Sequence, residues 1–280
     1  NRDELDADVI VIADSGNIRI GEPTITTSLR GLVDATINIK LPIFPVHSGV
    51  GGGIIPDAMM VLSKILSSFH DEDGNLLIEG LTVDKSEVTE MDKEILDKML
   101  GGDENIPYFK SSSMSEKLWL EPALDILAID APRVEESVNL IIPEATAKVS
   151  LRLAPSQNPD EAMDLLRKHV KENSPWGVDV NFIPGAKGSG VLCSSKGEFI
   201  QTLLKKFNSS WGKEPSFMGV GGSIPFANVF SQQFPNAEIA LIGVSDGELG
   251  NAHAPNESVE LKDLEKMIEA LSSALVEYGK

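Results

Sequence analysis

This sequence is poor in cysteine and in positive charge relative to negative charge. One cysteine, Cys193, occurs in 280 residues, which excludes an internal disulfide. Lys and Arg number 24 against 43 Asp and Glu, so the formal net charge is −19. Because nucleic acids and anionic membranes are bound through basic patches, we expect neither as a partner.

The chain also lacks long hydrophobic runs and two common motifs. No apolar run approaches the roughly 18–20 residues of a membrane-spanning helix. There is no His-Glu-x-x-His, and Gly51-Gly52-Gly53 is not followed by the Gly-Lys-Ser/Thr of a phosphate loop, which argues against a nucleotide site. The first residue is Asn1 rather than methionine, which leaves an upstream signal peptide open; we expect a cytoplasmic protein.

The pattern of apolar residues predicts strands of two kinds. The runs 9–13 and 239–244 are continuously apolar, as in a strand that is covered on both faces. The runs 33–40, 147–153 and 178–182 alternate apolar with polar residues, as in a strand with one solvated face. The difference predicts two sheets and therefore two domains.

Helical spacing of apolar residues predicts helices over 56–69, from Asn158 onward, over 196–208 and over 260–278. In the last of these, Leu264, Ile268, Leu271 and Leu275 are expected to face inward. The order of elements between about 30 and 185 fits an antiparallel sheet with helices on one face. We therefore predict an inserted domain over 30–189, with 70–118 as an insertion and 185–190 as the hinge, within a discontinuous domain of 1–29 and 190–280.

Two residues of metal-binding type are expected where open α/β sheets hold their ligands, beyond the carboxyl ends of strands. Asp14 ends the first apolar strand, which begins at Asp8, and His253 lies in a polar loop after the strand at 239–244. A turn residue is the alternative for Asp14. A hydrolytic site needs three or more protein ligands for each metal ion, and the sequence offers only these two convincing ones.

Three further positions are candidates for substrate contacts. His47 lies in a Gly-rich connection that could reach a substrate. Ser223 is predicted as the N-cap of a helix with Pro225 in its first turn, and Gly222 beside it would leave backbone N–H groups free for an anion. Arg152 ends an alternating strand, and its guanidinium suits a carboxylate. A surface histidine and a solvated arginine are the alternatives.

Together these segments resemble the co-catalytic zinc peptidases of metallopeptidase family twenty, which include carnosinases, bacterial dipeptidases, aminoacylase and glutamate carboxypeptidase. The similarity covers essentially the whole chain in order. Its segments are Val9 to Asp14, Ser28-Leu29-Arg30-Gly31, Val46-His47-Ser48-Gly49, Ile142-Pro143 to Arg152, Gly221-Gly222-Ser223-Ile224-Pro225 and His253-Ala254-Pro255-Asn256-Glu257.

The resemblance implies an incomplete α/β catalytic domain, with a mixed sheet and helices on both faces, and an inserted ferredoxin-like lid that dimerises. It implies two zinc ions, or another divalent metal such as manganese or cobalt, with Asp14 and His253 each binding one. His47 would reach across a homodimer to stabilise the oxyanion. Arg152 would hold the substrate carboxylate with Ser223 and the nearby amides, and Asn139 would contribute although it lies one place from the family position, where Leu140 stands.

The chain departs from the family in having no His-x-Asp motif and in lacking the bridging Asp and the Glu-Glu pair at the family's place, since in the family all of these lie upstream of the strand that ends in Asp14. The chain therefore resembles the C-terminal portion of such an enzyme, which would hydrolyse dipeptides or N-acyl amino acids with metal-activated water, and we expect the fragment alone to be inactive. The alternative is a non-catalytic dimerisation or carboxylate-binding module.

Overall fold

The computed structural model describes residues 4–101, 105–222, 224–246, 250 and 254–280. Its strands in chain order are β1 (Val9–Asn17), β2 (Thr24–Leu29), β3 (Gly31–Lys40), β4 (Val46–His47), β5 (Ala123–Asp130), β6 (Leu140–Ile141), β7 (Glu144–Leu153), β8 (Val180–Gly188), β9 (Val191–Leu192), β10 (Ser216–Val220) and β11 (Glu238–Asp246). Its α-helices are α1 (Ser48–Gly51), α2 (Ala58–Ser67), α3 (Lys93–Met99), α4 (Met114–Trp119), α5 (Pro159–Glu172), α6 (Glu198–Trp211), α7 (Pro225–Gln233) and α8 (Leu261–Tyr278). Within the described ranges, no helix is long and apolar enough to cross a membrane.

The chain divides into two compact units. The first, here the sheet unit, consists of residues 1–30, 84–121 and 190–280; the second, the lid unit, consists of 31–83 and 122–189. The predicted inserted domain ran from 30 to 189 and so included the 84–121 segment. That segment packs in the sheet unit because its apolar side chains form a cluster on Ile18 and Met218, a contact that spacing along the sequence does not reveal.

The sheet unit is a mixed sheet with helices on both faces, as the sequence predicted. Its strand order is β1-β11-β2-β10, with β9 added to β2; β1 runs parallel to β11 and β2 parallel to β10, whereas β11 and β2 are antiparallel. Ala240 and Ile242 of β11 pack with α6 and α8, while Ile239 and Leu241 pack with Ala227 of α7. Successive side chains of a strand point to opposite faces, so both faces are covered.

Helix α8 packs through a different stripe from the predicted one. Its buried apolar residues are Met267, Ala270 and Ala274, whereas Ile268 and Leu275 are about half exposed. The prediction that Ile268 and Leu275 face inward is therefore wrong: small alanines let the helix lie close to α6 and the sheet.

The lid unit has the predicted ferredoxin-like order β-α-β-β-α-β. Its strands lie in the order β5-β7-β3-β8 and all pairs are antiparallel. Alternate residues of β3 from Val33 to Ile39 are fully buried under α2 and α5. Helix α5 begins as predicted, because the Asn158 side chain accepts hydrogen bonds from the amides of Asp160 and Glu161 and Pro159 occupies the first turn. Strand β8 continues to Gly188, so most of the predicted 185–190 hinge is strand.

Candidate active site

Asp14 lies at a bulge inside β1 rather than at the end of the strand. Pairing with β11 passes from Ile12 opposite Leu241 to Ser15 opposite Gly243, with a register shift between them. Ala13 and Asp14 thus lie opposite a single residue, and both are exposed. Bulges often re-aim a side chain next to an active site. The prediction that the strand ends at Asp14 is wrong by three residues, because the bulge lets pairing resume as far as Asn17.

Two glycines allow the strands to approach at this bulge. A Cβ placed on Gly243 would lie 1.8 Å from the carbonyl oxygen of Ser15, and one on Gly16 would lie 2.2 Å from that of Ser245. Neither contact is possible for a side chain against backbone. The conformation that exposes Asp14 therefore depends on glycine at both positions.

Asp14 lines a cleft of about 570 Å³ in the sheet unit. Glu257 and Ser258 line the same cleft, and Ile268 and Leu271 of α8 form an apolar wall. A bridge between Ser245 and Val259 returns the chain to β11. The segment 254–258 thus carries a second carboxylate into the cleft of Asp14. The predicted ligand His253 lies outside the described residues.

The donor groups of the cleft suit a divalent metal ion. The described residues supply too few of them to complete its coordination. Asp14 and Glu257 are carboxylates, which hard and borderline divalent cations accept as ligands. Among residues 4–101, 105–222, 224–246, 250 and 254–280, no group of three His, Cys, Asp or Glu could hold a metal ion. The described part of the chain therefore supplies a partial ligand set.

The predicted carboxylate loop follows β10. Val220 ends the strand, and Gly222 lies in the connection to α7. The N-cap of α7 is Ile224, not the predicted Ser223, and it makes no side-chain capping bond. Because Ile224 cannot cap, amides of the first turn lack a side-chain acceptor at the cap, as at helix N-termini that bind anions. Ser223 lies outside the described residues.

His47 stands on a two-stranded ribbon of the lid unit formed by β4 and β6. Its Nδ1 accepts a hydrogen bond from the Gly49 amide at 3.0 Å, so the neutral ring carries its hydrogen on Nε2. His47 pairs with Leu140, and the Ser48 amide donates to the Asn139 carbonyl at 2.9 Å. The ribbon therefore brings together two predicted site residues, His47 and Asn139, both exposed.

Arg152 lies elsewhere in the lid unit, on β7. It is half-buried, and its neighbours across the sheet are Leu32 and Ala123. Each of these neighbours is within two residues of a connection to the other unit. Within the described part of the chain, no carboxylate lies at ion-pair distance from its guanidinium. The group is thus available to an external carboxylate.

Glu257, which shares the cleft of Asp14, is a site residue to which the motifs assign no role. Its signal was its place four residues after His253 in the same polar loop.

The sequence also contains Gly243-Val244-Ser245-Asp246-Gly247, which has the spacing of a serine-hydrolase motif. Ser245 lies within strand β11 and bridges to Val259, so it does not stand on the strand-to-helix turn that such a nucleophile requires.

Comparison with known proteins decides the family. Residues 27–178, more than half of the chain, match the family described as the peptidase dimerisation domain of M20 peptidases. The chain belongs to the M20 peptidase family. It is 33% identical to the cysteinylglycine-S-conjugate dipeptidase of Corynebacterium striatum, over 100% of this chain and 62% of that protein.

Solved structures of a dipeptidase and of an M20 metallo-carboxypeptidase share the fold. The dipeptidase Dug1p of Saccharomyces cerevisiae has a TM-score of 0.75 at 23% identity, covering 97% of this chain and 59% of its own. The M20 family metallo-carboxypeptidase Sso-CP2 of Sulfolobus solfataricus has a TM-score of 0.77 at 24% identity, covering 98% of this chain and 64% of its own. The chain thus spans about three fifths of the length of these three relatives.

Proposed function

We propose that this chain is part of a metal-dependent hydrolase of dipeptides or related small amides. The observation that carries the proposal is the bulge that aims Asp14 into a cleft shared with Glu257, in an M20 chain. Asp14 and His253 would each hold one of two zinc ions. A bound zinc ion supplies Lewis-acid polarisation of the scissile carbonyl and activation of water. The remaining ligands and the Glu base would come from a segment that corresponds to the part of the longer relatives outside their match to this chain.

Arg152 would hold the substrate carboxylate through a bidentate pair. The absence of an ion-pair partner among the described residues supports this role. Backbone amides near Gly222 and Ser223 would bind the same carboxylate. His47 would donate its Nε2 hydrogen to the developing oxyanion, since Nδ1 is held by Gly49, and Asn139 would assist from the same ribbon.

The dimerisation domain suggests a homodimer, and we propose that the lid units form it. Strand β5 is an edge strand that pairs only with β7 among the described strands. It exposes Ile126, Leu127 and Ile129. Exposed apolar edge strands are templates for pairing with another chain. His47 would then act in the site of the partner subunit.

The proposed location is the cytoplasm. Cys193 is unpaired, and burial raises the pKa of its thiol to about 12. A thiol of this kind is unreactive, and an unpaired cysteine suits a reducing compartment.

A non-catalytic binding module is the second candidate. The observation that favours it is the incomplete ligand set among the described residues. Such a module would keep the dimer and the carboxylate contacts of Arg152 without hydrolysis.

The test uses the full-length protein, assayed with dipeptides before and after chelation and after zinc is restored. We expect activity to disappear with chelation and to return with zinc. Arg152→Ala should raise KM by about 30- to 700-fold, the equivalent of about 2–4 kcal/mol for a lost charge pair. Activity that survives complete metal removal would contradict the proposal.

Arg167→Ala is the matched control, because Arg167 lies on α5 of the same unit and pairs with exposed Asp164. It should leave KM unchanged. If the protein binds dipeptides without hydrolysing them at any metal concentration, the binding module is the better account.

A further inference from the structure

Arg30 is a buried charge to which the proposed chemistry gives no role. It is 4% exposed, and it is the last residue of the first segment of the sheet unit. Its Nη1 donates a hydrogen bond to the Leu118 carbonyl and its Nη2 donates one to the Glu121 carbonyl, both at 2.7 Å. These carbonyls lie at the C-terminal end of α4, where the helix dipole favours a cation. Because a guanidinium presents its donors in a rigid fork, one side chain holds both carbonyls in place.

The contacts of Arg30 join segments from which the chain passes into the lid unit. Glu121 is the last residue of the second segment of the sheet unit, so the Nη2 contact links two such connections. Asp84 begins that second segment, and its amide donates to the Leu120 carbonyl at 3.1 Å. Within the sheet unit, the ends of three of the four connections are therefore held around the Arg30 side chain.

Two of these connections lead directly to the neighbours of Arg152. Leu32 lies two residues after Arg30 and pairs with Arg152 where β3 joins β7. Ala123 lies two residues after Glu121 and pairs with Arg152 where β5 joins β7. The strands on both sides of Arg152 thus begin just beyond the two segments that the Arg30 fork ties together.

Arg30 is also joined to the strand that leads to Gly222, the other proposed contact of the substrate carboxylate. Its backbone amide donates to the carbonyl of Val220, the last residue of β10, at 3.1 Å. The end of α4 packs on the same strand, since a Cβ placed on Gly219 would lie 2.4 Å from the Cβ of Trp119. With no side chain between them, a displacement of the α4 end would displace β10 and the loop that follows it.

We propose that Arg30 is a positioning residue for the substrate carboxylate, an inference that rests on the proposed function. Its guanidinium fixes the end of α4 that packs on β10, and it fixes the segments from which β3 and β5 start. Through these it supports both Gly222 and Arg152, rather than by contact with the substrate. Removal of the fork leaves two carbonyls without their donor. A misplacement of about 1 Å in groups that position a substrate can cost about 100-fold.

Steady-state kinetics with Ala-Gly on the metal-loaded, full-length protein test this role. Arg30→Met keeps an apolar stem and removes the fork; it should raise KM by about 10- to 100-fold and leave kcat within about twofold, as for a loss of uniform binding. Arg30→Lys keeps the charge without the fork and should raise KM by a smaller factor. If Arg30→Met does not fold, Arg30→Lys decides alone.

Phe207→Leu is the control for a merely structural effect, because Phe207 is a fully buried ring in the α6 core of the same unit. It should lower the denaturation midpoint and leave KM unchanged, since a smaller folded fraction lowers only the apparent kcat. An unchanged KM in the Arg30 variants, or an equal rise of KM in Phe207→Leu, would overturn the positioning role and leave the hydrolase standing.

Calorimetry with Ala-Gly separates this inference from the proposed function. If the wild-type protein hydrolyses no dipeptide, the hydrolase fails, and the affinity for Ala-Gly still tests Arg30. Binding that is weakened in the Arg30 variants but not in Phe207→Leu upholds the positioning role. Equal affinities, or no binding by the wild-type protein, overturn it.

Discussion

The two units differ in how their hydrophobic cores are organised and in whether their described residues include buried polar atoms without a hydrogen-bond partner. The lid unit has one hydrophobic cluster that spans its sheet and both long helices. The sheet unit has three separate clusters. It also holds buried side-chain atoms that lack a hydrogen-bond partner within the described residues, on Ser15, Asn17, Thr26 and Ser28. The lid unit is therefore organised around one continuous core, whereas the described part of the sheet unit divides its core and encloses unsatisfied polar atoms.

The contrast is clearest in two central strands. In β3 of the lid unit, buried and half-buried residues alternate along the strand. In β2 of the sheet unit all six residues are buried, and four of them, Thr24, Thr26, Thr27 and Ser28, are polar. Departures from simple burial rules concentrate at functional sites. The buried hydroxyls of β2 therefore agree with a site in the sheet unit.

The largest expected effect comes from breaking the lid core. Phe69 is fully buried and stacks on His169 with ring centroids 5.2 Å apart. Phe69→Ala should lower the free energy of unfolding by about 3–5 kcal/mol, because it removes a buried ring and leaves a cavity. Denaturant unfolding measures this loss of free energy. Phe44→Ala, at a position 90% exposed in the same unit, should change it by less than about 0.5 kcal/mol; equal losses would show that the lid core is not the single packed cluster described.

A smaller effect should follow from adding one methyl group to the bulge at Asp14. Gly243→Ala places a Cβ against the Ser15 carbonyl, so the strands must separate, at about 1–3 kcal/mol. Gly188→Ala in lid strand β8, where a Cβ meets nothing within 4 Å, is the matched control and should be near neutral. The midpoints of thermal unfolding of the two variants measure this difference in stability. A neutral Gly243→Ala would show that the bulge does not depend on close backbone approach.

The lid unit is also easier to predict from the sequence than the sheet unit. Alternation located β3 and β7, and the Asn158-Pro159 start located α5, because local pattern and tertiary burial agree in the lid unit. Strand β2 was missed, since its threonines and serine look solvated until the sheet covers them. The bulge at Asp14 and the docking of 84–121 depend on contacts between distant segments. Of the site, the candidate residue types could be found by motif, and Glu257 lies in one of those motifs; that it shares a cleft with Asp14 could not be predicted, because the cleft forms only once the chain is folded.

The smallest expected effect concerns the one buried histidine among the described residues. Burial lowers the pKa of His169, while the Ser68 carbonyl and the charges of Glu172 and Glu79 oppose that shift. Between the lowered pKa and the ordinary value of 6.5, the unfolded chain binds more protons than the folded one, so stability falls as pH falls. The His169 ring contacts Ser68 at the end of α2, so the loss should be felt in the lid unit.

His169→Gln removes the titrating group and should flatten the fall in denaturation midpoint between about pH 7.5 and pH 5, the range in which histidine titrates. His47→Gln, which removes an exposed imidazole from the same unit, is the control. If both variants flatten the profile equally, the pH dependence does not come from burial of His169. If only His169→Gln flattens the profile, the lid unit loses stability in acid because protonation of the His169 ring is unfavourable where the ring is buried in the core.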